Sequence, residues 1–213
     1  MNTAQTIAET LDRHLTRRTP MVVFGSAALL LDQNFAPRLT GRITNDIDFI
    51  IPARREMAVD ADQQFWQAVK RANQELAAKQ LYITHIFPER EVVLTPEWKS
   101  STVAMPNANL RNLRLSRPSM LDLVISKMGR GDVQDQADVR SMLRVQREVY
   151  LCGPTSNEIA AAAQRAHVPD VYREIFPRAS VQIISAAREF ELGESARHRN
   201  PPPNPGYGFG MRP

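Results

Sequence analysis

The chain has 213 residues, of which 43% are hydrophobic and 23% charged, and its formal net charge at pH 7 is +4. This length suits one compact domain, or a main lobe with a small helical annex, and argues against two large independent domains. The composition is close to that of average globular proteins, so most of the sequence should fold without a partner. The mild positive charge favours phosphate-rich partners, but many proteins that bind no nucleic acid share it.

The cysteine content and the hydrophobic runs indicate the cellular compartment of the protein. The single cysteine, Cys152, excludes an intramolecular disulfide and a cysteine-based zinc site, and it fits a reducing compartment. The N-terminal segment MNTAQTIAETLDRHL contains acidic residues and no long apolar run, unlike a secretory signal or a transit peptide. The longest apolar stretches, such as residues 27–31, are far shorter than the ~20 residues of a membrane-spanning helix. We therefore expect a cytoplasmic protein with no membrane partner.

The first elements in chain order are a helix and a short strand that ends at a small-residue turn. Apolar residues at helical spacing predict a helix over residues 4–15, and residues 21–24 predict a buried strand. Gly25 and Ser26 end this strand, and the sequence after them favours a helix. This order exposes backbone N–H groups that can bind phosphate, although in many α/β proteins it serves only as a turn.

A second strand, a long helix and two β-rich stretches follow. Residues 43–51 have the clearest strand pattern in the sequence. A helix is predicted over about residues 60–79, and its apolar positions are Phe65, Trp66, Val69 and Leu76. The two β-rich stretches, residues 81–87 and 92–94, are separated by a turn over residues 88–91.

The second half of the chain is predicted to be helical. The predicted helices cover residues 120–128, 134–146, 156–166 and 181–190. The end of the chain, HRNPPPNPGYGFGMRP, is dense in proline and glycine and lacks any period. Such a composition predicts a flexible tail or an extended arm.

Two carboxylates lie two residues apart on the strand predicted over residues 43–51. Because side chains alternate along a strand, Asp46 and Asp48 share one face, and the opposite face is apolar. Two like charges this close repel each other, and a hard cation such as Mg²⁺ or Mn²⁺ would relieve the repulsion. The pair therefore predicts a metal site, although the solvated face of an antiparallel sheet would show the same pattern.

Further polar residues lie near this pair and in the helical half. Arg42 and Thr44 place a guanidinium and a hydroxyl where nucleotide phosphates or the outer shell of the metal would lie, although Arg42 could equally form a loop salt bridge. Lys127 and Arg130 are three residues apart and can share a helix face, as can Asp135 and Asp138. Cations at helix ends and anions at helix starts are also expected from the helix dipole alone.

The order of these features resembles that of one enzyme superfamily. Over roughly residues 20–145 the sequence is similar to the minimal nucleotidyltransferases of the polymerase-β-like superfamily, especially the branch with AbiEii-like toxins of type IV toxin–antitoxin systems. The resemblance implies an α+β fold, with a small mixed sheet flanked by helices and a helical C-terminal region. We accordingly expect a catalytic lobe over residues 1–116, a helical region over 117–192 that completes the cleft, and a flexible tail over 193–213.

The resemblance also implies a role for each of the polar positions. In that superfamily a Gly-Ser turn holds the triphosphate and two aspartates bind the catalytic metal ions, which here are Gly25, Ser26, Asp46 and Asp48. The toxin branch also relies on a helical lysine and a later aspartate, for which the candidates are Lys127 and either Asp138 or Asp135. The remaining predicted nucleotide-binding residues are Arg42, Thr44 and Arg130.

One position departs from the pattern of the superfamily. Many members carry a third carboxylate on a later strand, and this chain has His85 at the expected place. Histidine accepts a proton near neutral pH, so His85 is a candidate base, although a histidine on a strand is often structural. Alternatively, Glu91 reaches in from the following turn, or the enzyme is weakened or inactive.

These observations together predict a metal-dependent enzyme that transfers a nucleoside monophosphate from a nucleoside triphosphate to an acceptor hydroxyl. The toxin resemblance implies an RNA 3′ end, such as that of tRNA, as the acceptor, and a cognate antitoxin protein as a partner. A protein side chain and a small molecule such as an aminoglycoside are the other acceptors considered. The alternatives to an enzyme are a weakened relative that binds a nucleotide or a partner protein, and a structural protein with a chance pair of aspartates.

Overall fold

The computed structural model describes residues 2–39 and 41–199, which form an α+β fold around one five-stranded mixed sheet. The strands are β1 (Thr19–Phe24), β2 (Asp46–Ile51), β3 (Tyr82–Pro88), β4 (Val103–Met105) and β5 (Leu113–Arg117). The helices are α1 (Thr3–His14), α2 (Gly25–Leu31), α3 (Ala53–Asp60), α4 (Gln63–Leu76), α5 (Met120–Ser126), α6 (Val133–Tyr150), α7 (Ser156–Arg165) and α8 (Phe176–Arg199). The mixed sheet and the helical C-terminal region predicted from the sequence are confirmed.

The strand order in the sheet is β3-β2-β1-β5-β4. Strand β1 runs antiparallel to β2 and parallel to β5, and β2 runs parallel to β3. A parallel pair needs a long crossover, and α3 and α4 supply it between β2 and β3. The register of the three strands places Phe24 of β1 opposite Asp48 of β2, and Asp48 opposite His85 of β3.

A register shift between β2 and β3 decides which side chain lies beside Asp48. Ile47 pairs with Ile83, but the next residue of β2, Asp48, pairs with His85, so Thr84 is an extra residue on β3. Regular alternation would place His85 on the same face as the buried Ile83. The irregularity reverses this and turns His85 toward the face that carries Asp48.

The apolar face of β2 packs against α1 and α2, and α4 packs beside them against α1 and β3. Ile47 and Phe49 have no exposed surface, and Leu11 of α1 and Leu76 of α4 are buried in the same cluster. Fully burying a side chain of this kind stabilises the fold by about 1.5–3 kcal/mol. Since this face of β2 is fixed by packing, the aspartates on its other face are carried by a rigid strand.

The opposite face of the sheet is covered only in part. A second, smaller cluster covers it and consists of Val22, Ile50, Val92, Leu94 and Trp98. Phe24 and Phe87 pack against this cluster. Asp46 and Asp48, on the same face of β2 as Ile50, are half-buried and line a cleft.

The helical region and the sheet share one hydrophobic core. Leu123 of α5, Val139 of α6, Ile159 of α7 and Ile183 of α8 have no exposed surface, and all four belong to the cluster that contains Phe49. Ser119 caps α5 by accepting a hydrogen bond from its third amide, and Asp132 caps α6 in the same way. The shared core fixes the helical region against the sheet, so the two sides of the cleft keep their relative positions.

Several predicted bounds differ from the structure. Ile43 is 71% exposed and precedes β2, so the strand is shorter than predicted. The helix predicted over residues 60–79 is α4 with a following 3-10 turn, and α3 before it was not predicted. Trp66 is not a core position, because it is 38% exposed and its Nε1 donates a hydrogen bond to the carbonyl of Val59.

The prediction was also wrong for part of the sheet. Residues 92–94 form no strand of the sheet, and Leu94 makes only an isolated bridge with His167. Strands β4 and β5 were not predicted, although β5 lies beside β1. The sequence of β5 lacks a clear strand pattern because one of its buried residues is Arg117. Nε of Arg117 donates a hydrogen bond of 2.8 Å to Oδ2 of Asp32.

Two predictions concern the end of the chain and the membrane. Helix α8 continues to Arg199 and therefore enters the tail predicted over residues 193–213, whose other residues lie outside the described residues. Within residues 2–39 and 41–199, no helix is long and apolar enough to cross a membrane.

We expect the substitution Gly131→Ala to destabilise the protein by about 2–4 kcal/mol. Gly131 has a φ of +65°, and a Cβ there would lie 2.4 Å from Cβ and 2.6 Å from Cα of Ala179 in α8. Urea unfolding measures the effect. The control is Gly193→Ala in α8, where a Cβ would meet no atom within 4 Å, so its stability should be unchanged or higher. Equal stabilities for Gly131→Ala and the wild type would contradict the close contact of α8 with the turn at Gly131.

Candidate active site

A cleft of about 560 Å³ lies between the sheet and the start of the helical region. Its lining comes from the ends of β1 and β2, from β3, from the 3-10 turn Lys127–Gly129 and from α6. All ten site residues predicted from the sequence line this one cleft. The two alternatives considered with them, Glu91 and Asp135, line it as well.

Asp46 and Asp48 project from one face of β2 into the cleft, because side chains alternate along a strand and Ile47 faces the core. Oγ1 of Thr44 donates a hydrogen bond of 2.9 Å to Oδ1 of Asp46 and so orients this carboxylate. Burial and the nearby charge of Asp46 raise the pKa of Asp48 above its ordinary value, although His85 acts in the opposite direction. The pair therefore holds more negative charge than its surroundings neutralise.

His85 lies beside Asp48 as a result of the register shift in β3. Its Nδ1 is 3.4 Å from Oδ1 of Asp48, and its ring stacks on Phe87 with the ring centroids 4.8 Å apart. The side chain is 56% exposed, so a molecule in the cleft can reach it. Glu91 also lines the cleft, but its ion-pair contact is with Arg90 at 3.9 Å and not with either aspartate.

The turn between β1 and α2 brings Gly25 and Ser26 to the cleft. Gly25 has a φ of +66°, and open space lies where a Cβ would point. Helix α2 begins at Gly25 without a side-chain cap, so no side chain occupies its first amides. Oγ of Ser26 accepts a hydrogen bond of 3.1 Å from Arg42 and lies 3.4 Å from Oδ2 of Asp138.

Lys127 is the centre of a buried ion network. It is 8% exposed, and its Nζ donates hydrogen bonds of 2.6 Å to Oδ2 of Asp138 and 3.1 Å to Oδ1 of Asp135. Arg42 forms an ion pair with Oδ1 of Asp138 and reaches Ser26 at the same time. The network therefore connects the β1–α2 turn, the loop before β2 and the helical region.

The two aspartates of α6 differ in their partners. Asp135 has no exposed surface and accepts hydrogen bonds from Lys127 and from both Nε and Nη2 of Arg130. Asp138 binds Lys127 and Arg42, and Gln134 donates a hydrogen bond of 2.9 Å to its Oδ1. Both aspartates considered for the later acidic position thus contact the lysine, but only Asp138 also contacts Arg42 and Ser26.

Asp138 is ionised at neutral pH. Burial by itself would raise the pKa of this carboxyl, but the charge and hydrogen bond of Lys127, the charge of Arg42 and the hydrogen bond of Gln134 outweigh it. The pKa of Asp138 consequently lies below its ordinary value. The pKa values of Asp138 and Asp48 are therefore shifted in opposite directions. Both carboxyls are partly buried, but Asp138 faces two cations, whereas burial and the charge of Asp46 act together on Asp48.

The donor atoms at Asp46 and Asp48 fit a hard cation. In the described part of the chain, no group of three or more His, Cys, Asp and Glu side chains is arranged to hold a metal ion. A cation at this pair would have two protein carboxylates and would take its remaining ligands from a substrate and from water. Mg²⁺ typically binds in this way, with one or two carboxylates plus substrate phosphates, whereas zinc sites use more protein ligands.

Sequence reasoning missed several residues that line the cleft. Phe24 and Phe87 form an edge-to-face pair with centroids 5.7 Å apart, and Tyr172 reaches the cleft from a 3-10 turn between α7 and α8. Gln134 lies four residues before Asp138 on α6, a spacing that brings the two together on a helix and could have identified it. No signal in the sequence relates Tyr172 to the rest of the site.

The fold and the site define the class of protein: an α+β fold of the nucleotidyltransferase type, with a pair of aspartates and a Gly-Ser turn in one cleft. The match to a family model is more specific. Residues 1–148 match the family described as "Nucleotidyltransferase of unknown function (DUF6036)", and the chain belongs to this family. A search of curated proteins and a search of solved structures gave no match. The matched residues include all ten predicted site residues, whereas α7 and α8 lie beyond them.

We expect Asp48→Asn to raise the melting temperature by about 1–2 °C in metal-free buffer at pH 7. Burial and the charge of Asp46 raise the pKa of Asp48, so ionised Asp48 destabilises the fold above that pKa. The penalty disappears as the pH falls through the pKa, because Asp48 is then protonated. The difference between variant and wild type should shrink accordingly in thermal scans at decreasing pH.

The control for this prediction is Asp62→Asn, which should have the opposite effect. Burial acts to raise the pKa of Asp62, but the hydrogen bond from Arg17 and the amide of Phe65 outweigh it and lower the pKa. The ionised form of Asp62 therefore stabilises the fold, so its removal should lower the melting temperature at pH 7. A fall in melting temperature for Asp48→Asn as well would contradict the cost to folding of ionised Asp48, which burial and the charge of Asp46 cause.

Proposed function

We propose that this member of a nucleotidyltransferase family is an active, metal-dependent enzyme that transfers a nucleoside monophosphate from a nucleoside triphosphate to an acceptor hydroxyl. One observation carries the proposal: the carboxylates of Asp46 and Asp48 share a single cleft with the linked group of Ser26, Arg42 and Lys127. The first set suits a cation and the second suits phosphate. A metal-bound triphosphate needs both in one place.

Ser26, Arg42 and Lys127 are the side chains that we assign to the phosphates. The two cations would neutralise the negative charge that develops on the leaving pyrophosphate. Asp138 holds both cations through hydrogen bonds and so positions them before the substrate arrives. The open space beside Gly25 lets a phosphate approach the backbone of the β1–α2 turn.

The carboxylates of Asp46 and Asp48 are the groups that we assign to Mg²⁺ or Mn²⁺. When bound, the cation would neutralise the triphosphate and orient it for in-line attack. Thr44 keeps one of these carboxylates in place through its hydrogen bond to Asp46. The raised pKa of Asp48, which burial and the charge of Asp46 cause, supports the assignment, since a bound cation would relieve the repulsion between the two carboxylates.

His85 is the group that we assign to the acceptor. If Nδ1 carries the proton that faces Oδ1 of Asp48, Nε2 has a lone pair that can accept a proton. The acceptor oxygen then forms a bond to the α-phosphorus, and its proton passes to Nε2 of His85. The bond from the α-phosphorus to the oxygen that bridges to the β-phosphorus breaks, and pyrophosphate leaves.

The acceptor that we favour is the 3′ hydroxyl of an RNA such as tRNA. The resemblance to AbiEii-like toxins supports this acceptor and would make a cognate antitoxin protein a partner. The net charge of +4 is compatible with a polyanionic substrate. A cytoplasmic location would bring the protein together with both nucleotides and RNA.

The first test is a transfer assay with labelled nucleoside triphosphates, Mg²⁺ and total tRNA. We expect the wild type to label an acceptor, and Asp46→Asn to reduce the rate by at least about 100-fold, because it removes one of two carboxylates at the cation site. The matched control is Asp60→Asn at the exposed end of α3, which should retain full activity.

Two outcomes of this assay would contradict the proposal. Transfer that survives in Asp46→Asn would show that the cleft is not the reactive site. An absence of transfer to RNA, protein and small acceptors by a folded wild-type protein that still binds Mg²⁺ and nucleotide would favour a binding module without activity.

The second test concerns His85. We expect His85→Asn to reduce the transfer rate by about 10²–10⁴-fold with little change in nucleotide affinity, since asparagine cannot accept the proton. The control is His14→Asn on α1, whose ring contacts Glu75 and does not line the cleft. Rates compared under single-turnover conditions measure the effect. An unchanged rate in His85→Asn would remove His85 from the mechanism and leave Glu91 as the next group to test.

A further inference from the structure

One part of the cleft is apolar and has no role in binding phosphate or in the proposed transfer. Its residues are Phe24, Phe87, Val92, Val93 and Tyr172. A nucleoside triphosphate that is held by its phosphates and its cation also carries a flat, largely apolar base. Sites for small molecules typically combine an apolar lining with a few polar groups, and a base needs such a lining beside the phosphate site.

Tyr172 has the position and the rigidity that stacking on a base requires. Its ring lies close to Gly129, so that a Cβ on Gly129 would lie 3.5–3.6 Å from three of the ring carbons. The side chain is half-buried against the main core, and its hydroxyl makes no hydrogen bond to any residue that the structure describes. Gly129 follows Lys127 by two residues, which places the ring near the proposed phosphate site.

The segment that carries Tyr172 is fixed at its start to the residues after β3. The amide of His167 donates a hydrogen bond of 2.8 Å to the carbonyl of Leu94. Nε2 of His167 is 3.1 Å from the carbonyl of Arg90 and must be the donor, since a carbonyl oxygen can only accept. Residues 166–175 therefore run from the segment after β3 to the turn at Gly129. A fixed ring loses little conformational freedom when a ligand stacks on it.

We propose that Tyr172 is the stacking surface for the base of the nucleotide, so that the region beyond the family match determines how well nucleotides bind. The inference rests on the proposed function. Residues 1–148, which match the family, supply the groups for phosphate, cation and acceptor. The segment from 166 to 175 supplies the one aromatic side chain from the helical region that lines the cleft within the described residues.

The test compares ligands that have a base with one that has none. The affinities of the full-length protein for the α,β-methylene analogues of ATP, GTP, CTP and UTP, and for inorganic tripolyphosphate, are measured by calorimetry with Mg²⁺ present. The analogues prevent turnover. We expect Tyr172→Ala to weaken the preferred nucleotide roughly tenfold and to leave tripolyphosphate within about twofold, since stacking involves the base alone.

Two further variants separate stacking from folding. Tyr172→Phe keeps the ring and removes only the unpaired hydroxyl, so it should bind nucleotides within about twofold of the wild type. Val171→Ala changes an exposed neighbour on the same 3-10 turn and should bind all ligands as the wild type does. Melting temperatures identify any variant that fails to fold, and in that case Tyr172→Leu replaces Tyr172→Ala as the ring-free variant.

Three outcomes would overturn the inference while the proposed function stands. They are unchanged nucleotide affinity in the ring-free variant, an equal loss for tripolyphosphate and nucleotides, and wild-type binding that does not distinguish nucleotides from tripolyphosphate. If the wild type binds neither the analogues nor tripolyphosphate with Mg²⁺, the proposed function itself fails, and the inference about Tyr172 fails with it. The two failures therefore give different results.

Discussion

The buried charge of Lys127 is the constraint on which the rest of the site depends. Lys127 is 8% exposed, and a buried ammonium group is costly without carboxylate partners, which Asp135 and Asp138 of α6 provide. Asp138 then recruits Arg42 from the loop before β2, and Arg42 reaches Ser26 behind β1. The contacts that hold the helical region to the sheet are thus the same contacts that arrange the cations of the cleft. Stability and site geometry cannot be varied independently here.

The cleft contains one satisfied set of charges and one unsatisfied set. Asp138 is held between cations, and its pKa lies below the ordinary value, whereas the pKa of Asp48 is raised by burial and by Asp46. The difference separates the roles of the two aspartates. Asp138 already has its partners and positions other groups, while Asp48 and Asp46 retain an unfavourable interaction that a bound cation would remove. Functional sites commonly retain such a cost to folding.

Local signals in the sequence predicted most of the helices and strands. Together with the family resemblance, they pointed to ten of the residues that line the cleft, but not to Gln134. The shared face of Asp46 and Asp48 follows from strand alternation, and most of the helices follow from apolar spacing. The missing parts depend on contacts that are distant in sequence. Strand β5 was not predicted because its pattern contains a buried arginine, Arg117. The partner of this arginine, Asp32, lies 85 residues earlier in the chain. Tyr172 approaches Gly129 only because the segment between α7 and α8 returns to the turn Lys127–Gly129. Propensity and periodicity contain no information about such approaches.

The irregular step in β3 has a consequence for comparisons among relatives. Thr84 is exposed and has no partner on β2, so its loss would leave Ile83 beside Ile47 and His85 beside Asp48. The number of residues in β3 is therefore not fixed by the pairing of these side chains. An ungapped alignment of this strand with a relative that lacks the extra residue would place the wrong residue opposite Asp48.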